Sequence, residues 1–79
     1  MRRMDLCSVI GINVRKLRTA KKLSQEELAF RAEIDRSYLS EVENGYKNPS
    51  VVILDQIAAA LDVDLRELFD GYRRAAKAK

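Results

Sequence analysis

Histidine and tryptophan are absent from this 79-residue chain, while cysteine and proline occur once each, at Cys7 and Pro49. A single thiol cannot close an internal disulfide. Without histidine, the usual zinc sites and any Cys–His catalytic pair are excluded. The 3 glycines are scattered, so there is no glycine-rich phosphate loop. No paired-carboxylate pocket is evident, and a chain this short has no room for a cleft between domains, so an enzyme is not expected. Nothing repeats at a fixed period. No apolar run approaches the roughly 20 residues of a membrane helix. The opening MRRMDLCSVIGINV has the basic start of a signal peptide, but Ser8, Gly11 and Asn13 interrupt its apolar part and strongly basic residues follow. Met4 is a second candidate start. The expectation is a reducing, cytoplasmic setting with no metal, no cofactor, no membrane and no small-molecule ligand.

The hydrophobic content of 47% and charged content of 34% fit one small folded domain over 1–79, with a core spanning about 6–71 and a basic tail at 72–79. The net charge of +3 is unevenly spread. Residues 1–22 hold Arg2, Arg3, Arg15, Lys16, Arg18, Lys21 and Lys22 against Asp5 alone. Residues 51–70 hold Asp55, Asp62, Asp64, Glu67 and Asp70 against Arg66 alone. The tail is again wholly positive. Solvated helix faces account for such a layout as well as a phosphate-binding side does.

Five helices and no strand are expected. The first spans about 6–22, with Leu6, Ile10, Val14 and Leu17 on one face; Gly11 weakens it by about 1 kcal/mol relative to alanine. The other four begin with a shared grammar. Ser24, Asp35, Ser50 and Asp64 are N-cap residues able to accept from an orphan backbone N–H. Around them, Leu23 with Leu28, Ile34 with Leu39, Pro49 with Leu54 and Val63 with Leu68 have the spacing of a hydrophobic staple. Ser24 with Glu27 and Asp64 with Glu67 complete capping boxes. Helices two to five then cover about 25–31, 36–43, 51–61 and 65–70, with Asn44-Gly45 suited to a left-handed C-terminal cap. The tail either extends the fifth helix or frays. Val14, Leu17, Leu28, Ala29, Ile34, Leu39, Val42, Leu54, Ile57, Ala58, Leu61, Leu65, Leu68 and Phe69 are the expected core.

Helices two and three, joined by a tight turn, have the form of a helix-turn-helix, whose second helix enters the DNA major groove. With Leu39 and Val42 turned inward, Arg36, Ser37, Ser40 and Glu41 form one outward face. Arg36 can give guanine O6 and N7 two hydrogen bonds. Ser37 discriminates less. Glu41 can accept from cytosine N4 or repel phosphate. Tyr38, on the flank, can reach a sugar-phosphate or a thymine methyl. Backbone contacts are expected from Ser24 and Gln25 at the start of helix two, where the first N–H groups favour a phosphate. Asn44, Lys47 and Asn48 follow as a second clamp. Taken singly, Arg36 is an ordinary solvated arginine and Tyr38 an ordinary core cover; their register within one motif carries the reading.

The chain resembles the lambda-repressor-like, Cro/cI-type (XRE) helix-turn-helix family across roughly 9–71. The matching pieces, in order, are Val14-Arg15-Lys16-Leu17-Arg18, Leu23-Ser24-Gln25-Glu26-Glu27-Leu28-Ala29 and Leu39-Ser40-Glu41-Val42-Glu43-Asn44-Gly45. Pro49-Ser50, Ile57-Ala58, Ala60-Leu61 and Leu68-Phe69 continue them. The resemblance implies an all-α, compact five-helix DNA-binding domain. It further implies a phosphate contact at Gln25, base contacts at Arg36, Ser37 and Glu41, and an internal ion pair between Arg18 and Glu43. Asp35-Arg36-Ser37-Tyr38 and the short length are most similar to the controller proteins of restriction-modification systems. Where many relatives place glycine in the turn, this chain has Glu33, which implies left-handed strain there. Phe30 is expected near solvent, covering the core edge or meeting a partner.

One recognition helix makes too few base contacts for useful specificity, so a homodimer on double-stranded DNA is expected. Val51, Val52 and Ile53 are more apolar than one inward face absorbs, and Phe69 and Tyr72 lie near. Val52, Ile53, Phe69 and Tyr72 are the expected dimer face. The expected function is a transcriptional regulator, repressor or activator, on a two-fold-symmetric operator. An activator would engage RNA polymerase, with Glu33, Asp55 and Glu67 among the acidic candidates. The rival reading is an antitoxin or adaptor working through a protein partner.

Overall fold

The computed structural model describes residues 5–73, and expectations for the first four residues and for the tail from 74 onward lie outside them. Within that span the chain forms α1 (Leu6–Ala20), α2 (Gln25–Ala32), α3 (Arg36–Glu43) and α4 (Val51–Leu61), followed by a 3-10 turn, Leu65–Phe69. The expected fifth helix is therefore a 3-10 element. Its bonds run to the third residue back, from Glu67 N–H to Asp64 O and from Asp70 N–H to Glu67 O. A five-residue piece closes such turns more readily than α-turns. Among the described residues there is no strand and no helix long and apolar enough to cross a membrane.

Helix starts follow the expected grammar with one exception. Ser24, Ser50 and Asp64 each accept a backbone N–H, and both capping boxes form. Asp35 has the extended backbone of a cap but makes no side-chain cap bond. The turn there is held from the other side. Glu33 N–H reaches Phe30 O and Ile34 N–H reaches Ala29 O, the bond pair of a Schellman motif.

The same bond pair closes every α-helix. It runs from Lys22 and Leu23 to Thr19 and Arg18, from Gly45 and Tyr46 to Val42 and Glu41, and from Asp62 and Val63 to Ala59 and Ala58. Lys22, Glu33, Gly45 and Asp62 all take positive φ. α1 thus stops at Ala20, short of the expected Lys22, because Lys22 is the left-handed stop. Three connections share one three-residue form: a left-handed residue, an apolar residue, then an N-cap. Leu23, Ile34 and Val63 are the apolar members; Leu23 is buried in the core, and Ile34 and Val63 pack against it half-buried.

The core is Val9, Ile10, Val14, Leu23, Leu28, Ala29, Ala32, Leu39, Val42, Leu54, Ile57, Ala58, Leu61 and Leu68. Leu17, Ile34, Leu65 and Phe69 flank it half-buried instead of lying inside. Leu6 is exposed at the first position of α1, which Asp5 caps by accepting from Ser8 N–H at 2.9 Å. α2 lies against α4 and α3, and α1 against α3 and the 3-10 turn. Two residues that interrupt the apolar pattern of α1 explain its packing. A Cβ at Gly11 would stand 2.5 Å from Val42 O and 2.6 Å from Glu43 O, so only glycine lets α1 approach the end of α3. Buried Asn13 donates both amide hydrogens, to Leu68 O at 2.9 Å and Asp70 O at 2.8 Å. That pair of bonds ties the 3-10 turn to α1.

Candidate nucleic-acid interface

α3 presents two different faces. Leu39 and Val42 are buried, anchoring it on the core, and Arg36, Ser37 and Glu41 are exposed with Ser40 half-buried beside them. The expected base-reading set thus falls on one surface. Glu41 is accompanied: Lys47 Nζ lies 3.7 Å from its Oε1, with both side chains about half exposed. Such a pair contributes little to stability but offsets the negative charge on this face. Tyr38 is half-buried against the core, lining a shallow groove with Ile34 and Ile53. Asn44 and Asn48 are exposed.

The rear of the site is built around one carboxylate. The Glu43 side chain is fully buried and accepts from three residues. Arg18 donates to both its oxygens, Nε to Oε2 at 2.6 Å and Nη2 to Oε1 at 3.0 Å. Gln25 Nε2 donates at 3.0 Å, and Arg15 Nε at 3.4 Å. Arg18 Nη1 also donates to Leu23 O at 2.8 Å, fastening the α1–α2 turn. Burial pushes the Glu43 carboxyl up, yet the hydrogen bonds from Arg18, Gln25 and Arg15 outweigh it and hold its pKa below the ordinary value. The expected Arg18–Glu43 pair is present as part of this larger cluster.

Gln25 belongs to that cluster. One amide hydrogen is committed to Glu43, and a primary amide has a second hydrogen and a carbonyl to offer elsewhere. Ser24 Oγ accepts from Glu27 N–H at 3.0 Å while Glu27 Oε1 accepts from Ser24 N–H at 2.8 Å, which sets the first turn of α2. The backbone groups of Gln25 and Glu26 then occupy the first-turn positions where N–H groups lack helical partners. Arg15 was not among the expected site residues. Its place in the basic stretch before α2 was the available signal, but only the fold brings it to Asn44.

A helix-turn-helix family model matches residues 14–68. The chain belongs to the lambda-repressor-like helix-turn-helix family. Among its relatives, control protein C.MunI of a Mycoplasma species is 47% identical over 66 residues, spanning 82% of this chain and 89% of that protein. The transcriptional regulator y4dJ of Sinorhizobium fredii, itself uncharacterized, is 42% identical over 65 residues, spanning 82% and 84%. The crystal structure of the restriction-modification controller protein C.AhdI from Aeromonas hydrophila superposes with a TM-score of 0.78 at 51% identity. It covers 80% of this chain and 96% of that one.

The apolar residues expected at a dimer contact are distributed unevenly in this family member. Val51 and Val52 are each 68% exposed, whereas Ile53, Phe69 and Tyr72 are half-buried. Phe30 is 84% exposed on α2.

Proposed function

We propose that this protein is a sequence-specific DNA-binding transcriptional regulator that acts as a homodimer on a two-fold-symmetric operator, in the manner of a restriction-modification controller. The observation that carries the reading is the arrangement of α3: its exposed Arg36, Ser37 and Glu41 on one face, its rear fixed to α1 and α2 through Glu43. Arg36 reads a guanine, Ser37 and Ser40 adjust to the neighbouring bases, and Glu41 accepts from cytosine or excludes other bases. Ser24, Gln25, Tyr38, Asn44, Lys47 and Asn48 contact the sugar-phosphate backbone and set register. The controller assignment draws its support from relatives of that description that this chain matches across four-fifths of its length.

The dimer forms through Val52, Ile53, Phe69 and Tyr72, placing the two α3 helices about 34 Å apart, one turn of DNA. Selection of bound duplexes from a random pool at about 0.15 M salt tests the reading. An enriched two-fold-symmetric sequence is expected; weak, salt-sensitive binding to every duplex would overturn it. Ile53→Asp should yield monomers by sedimentation, and a variant that stays dimeric would place the interface elsewhere.

A further inference from the structure

Two guanidinium groups meet the single negative charge of Glu43, and they meet it unequally. Arg18, with its side chain 13% exposed, takes both carboxylate oxygens at short range. Arg15, 51% exposed, makes one longer bond to Oε1 and turns its Nη2 to Asn44 Oδ1 at 3.2 Å. Arg18 alone neutralises the carboxylate. The cluster is left with one net positive charge, and that charge sits on Arg15 at the surface. Its guanidinium is held at two points, by Glu43 and Asn44, with the other N–H groups of the fork still to be used. An arginine fixed in this way loses little further freedom on meeting a planar or tetrahedral oxyanion, for which the fork geometry is suited.

The position is equally informative. Glu43 Oε1 accepts from Arg15 and also from Gln25 at the start of α2, so the two donors converge on one oxygen. Asn44 follows α3 directly. We propose that Arg15 is a DNA-backbone contact, its guanidinium preordered by Glu43 and Asn44 to bind a phosphodiester between those met by Gln25 and Asn44. The proposal rests on the DNA-binding reading above. It adds a contact from α1, so that three helices clamp the backbone.

Arg15→Gln tests it, since glutamine keeps a donor toward Glu43 and removes the charge. The full chain is titrated with the selected operator duplex and with an unrelated duplex of equal length, from about 0.05 to 0.2 M salt. The slope of log K against log salt should fall in magnitude by about 0.9 for each bound protomer, equally on both duplexes. Arg15→Lys should recover the slope. A scan of duplexes carrying single uncharged methylphosphonates should show one position per half-site that weakens the parent protein and leaves the glutamine variant unaffected. An unchanged slope, or a loss confined to the operator, would overturn the assignment. So would a glutamine variant that unfolds, because that places Arg15 in the scaffold. If the parent protein prefers no duplex, the regulator reading fails on its own, and the slope on unrelated DNA still decides Arg15.

Discussion

The two ends of α3 are held by opposite means. At the C-terminal end, Glu43 is buried under three donors from α1 and α2, and a left-handed Gly45 closes the helix against Ser8, 3.1 Å from where a Cβ would stand. At the N-terminal end, Asp35 makes no cap bond, and Arg36 and Ser37 project into solvent. The difference separates two jobs along eight residues. One end fixes the helix axis relative to the body, and the other is left polar and open, as the proposed reading of bases requires.

The sharpest way to break this comparison is to remove the anchor. Glu43→Ala leaves Arg18, itself mostly buried, with Leu23 O as its remaining hydrogen-bond partner, and a stability loss of about 3–5 kcal/mol is expected by chemical denaturation. Replacing both members, as in Arg18→Met with Glu43→Leu, should cost less than either single change, because no stranded charge remains. Acid should act in the same direction. The folded carboxyl has a lowered pKa, so its stabilising effect is complete above the ordinary carboxylate range and is lost as pH falls through and below it. A stability profile with no additional acid sensitivity relative to the double variant would contradict this account.

Next in size is Gly11→Ala. Alanine improves helix propensity by about 1 kcal/mol, but its methyl would press on two backbone carbonyls of α3 that cannot rotate away. A net loss of about 1–3 kcal/mol is expected in thermal unfolding, with α3 displaced at its anchored end. Stabilisation would mean that α1 and α3 separate more easily than their packing indicates.

At the open end the effects should move from stability to binding. Arg36→Ala is expected to leave unfolding within about 0.5 kcal/mol of the parent. It should weaken binding by about 1–3 kcal/mol and relax preference at one base per half-site. Gln25→Ala should weaken all sequences alike, and its effect on stability should exceed that of Arg36→Ala because it also withdraws a donor from Glu43. Equal losses on every duplex for both variants would remove Arg36 from the base-reading set.

Local grammar was legible in the residues, and long-range partnership was not. Ser24, Ser50 and Asp64 announce helix starts because an N-cap bond spans three residues or fewer. The limits of α3 and α4 follow from such signals. Asp62 was legible as the break after α4, since a short polar side chain tolerates the left-handed conformation. The stops at Lys22 and Glu33 were harder to see, since a left-handed lysine or glutamate has no such signature. Only for Glu33 did the family resemblance supply the hint. Gly11 and Asn13 looked like blemishes in an apolar helix. Each is instead matched to atoms at least 31 positions away, Val42 O for the glycine and Leu68 O and Asp70 O for the asparagine. Asn13 lies three residues after Ile10 and one before Val14, on the buried stripe, and a polar residue there implies a buried hydrogen-bond partner without naming it. The Arg18–Glu43 pair came from family resemblance; Arg15 and Gln25 joined it only once α1, α2 and α3 were in place.

The smallest expected effect tests the open end most directly. Ser24→Ala removes an oxygen that accepts from Glu27 N–H, so a cost near 1 kcal/mol is expected. Asp35 occupies the equivalent position before α3 and makes no such bond, so Asp35→Ala should cost no more than about 0.5 kcal/mol at moderate salt, the remnant being its charge near the helix start. Under the DNA-binding reading that charge stands at the start of the reading helix and repels phosphate, so the same variant should bind unrelated duplexes slightly more tightly. If Asp35→Ala instead costs as much as Ser24→Ala, α3 is capped in solution. Its first turn would then be as firmly held as its last, and the openness assigned to the reading end would have to be given up.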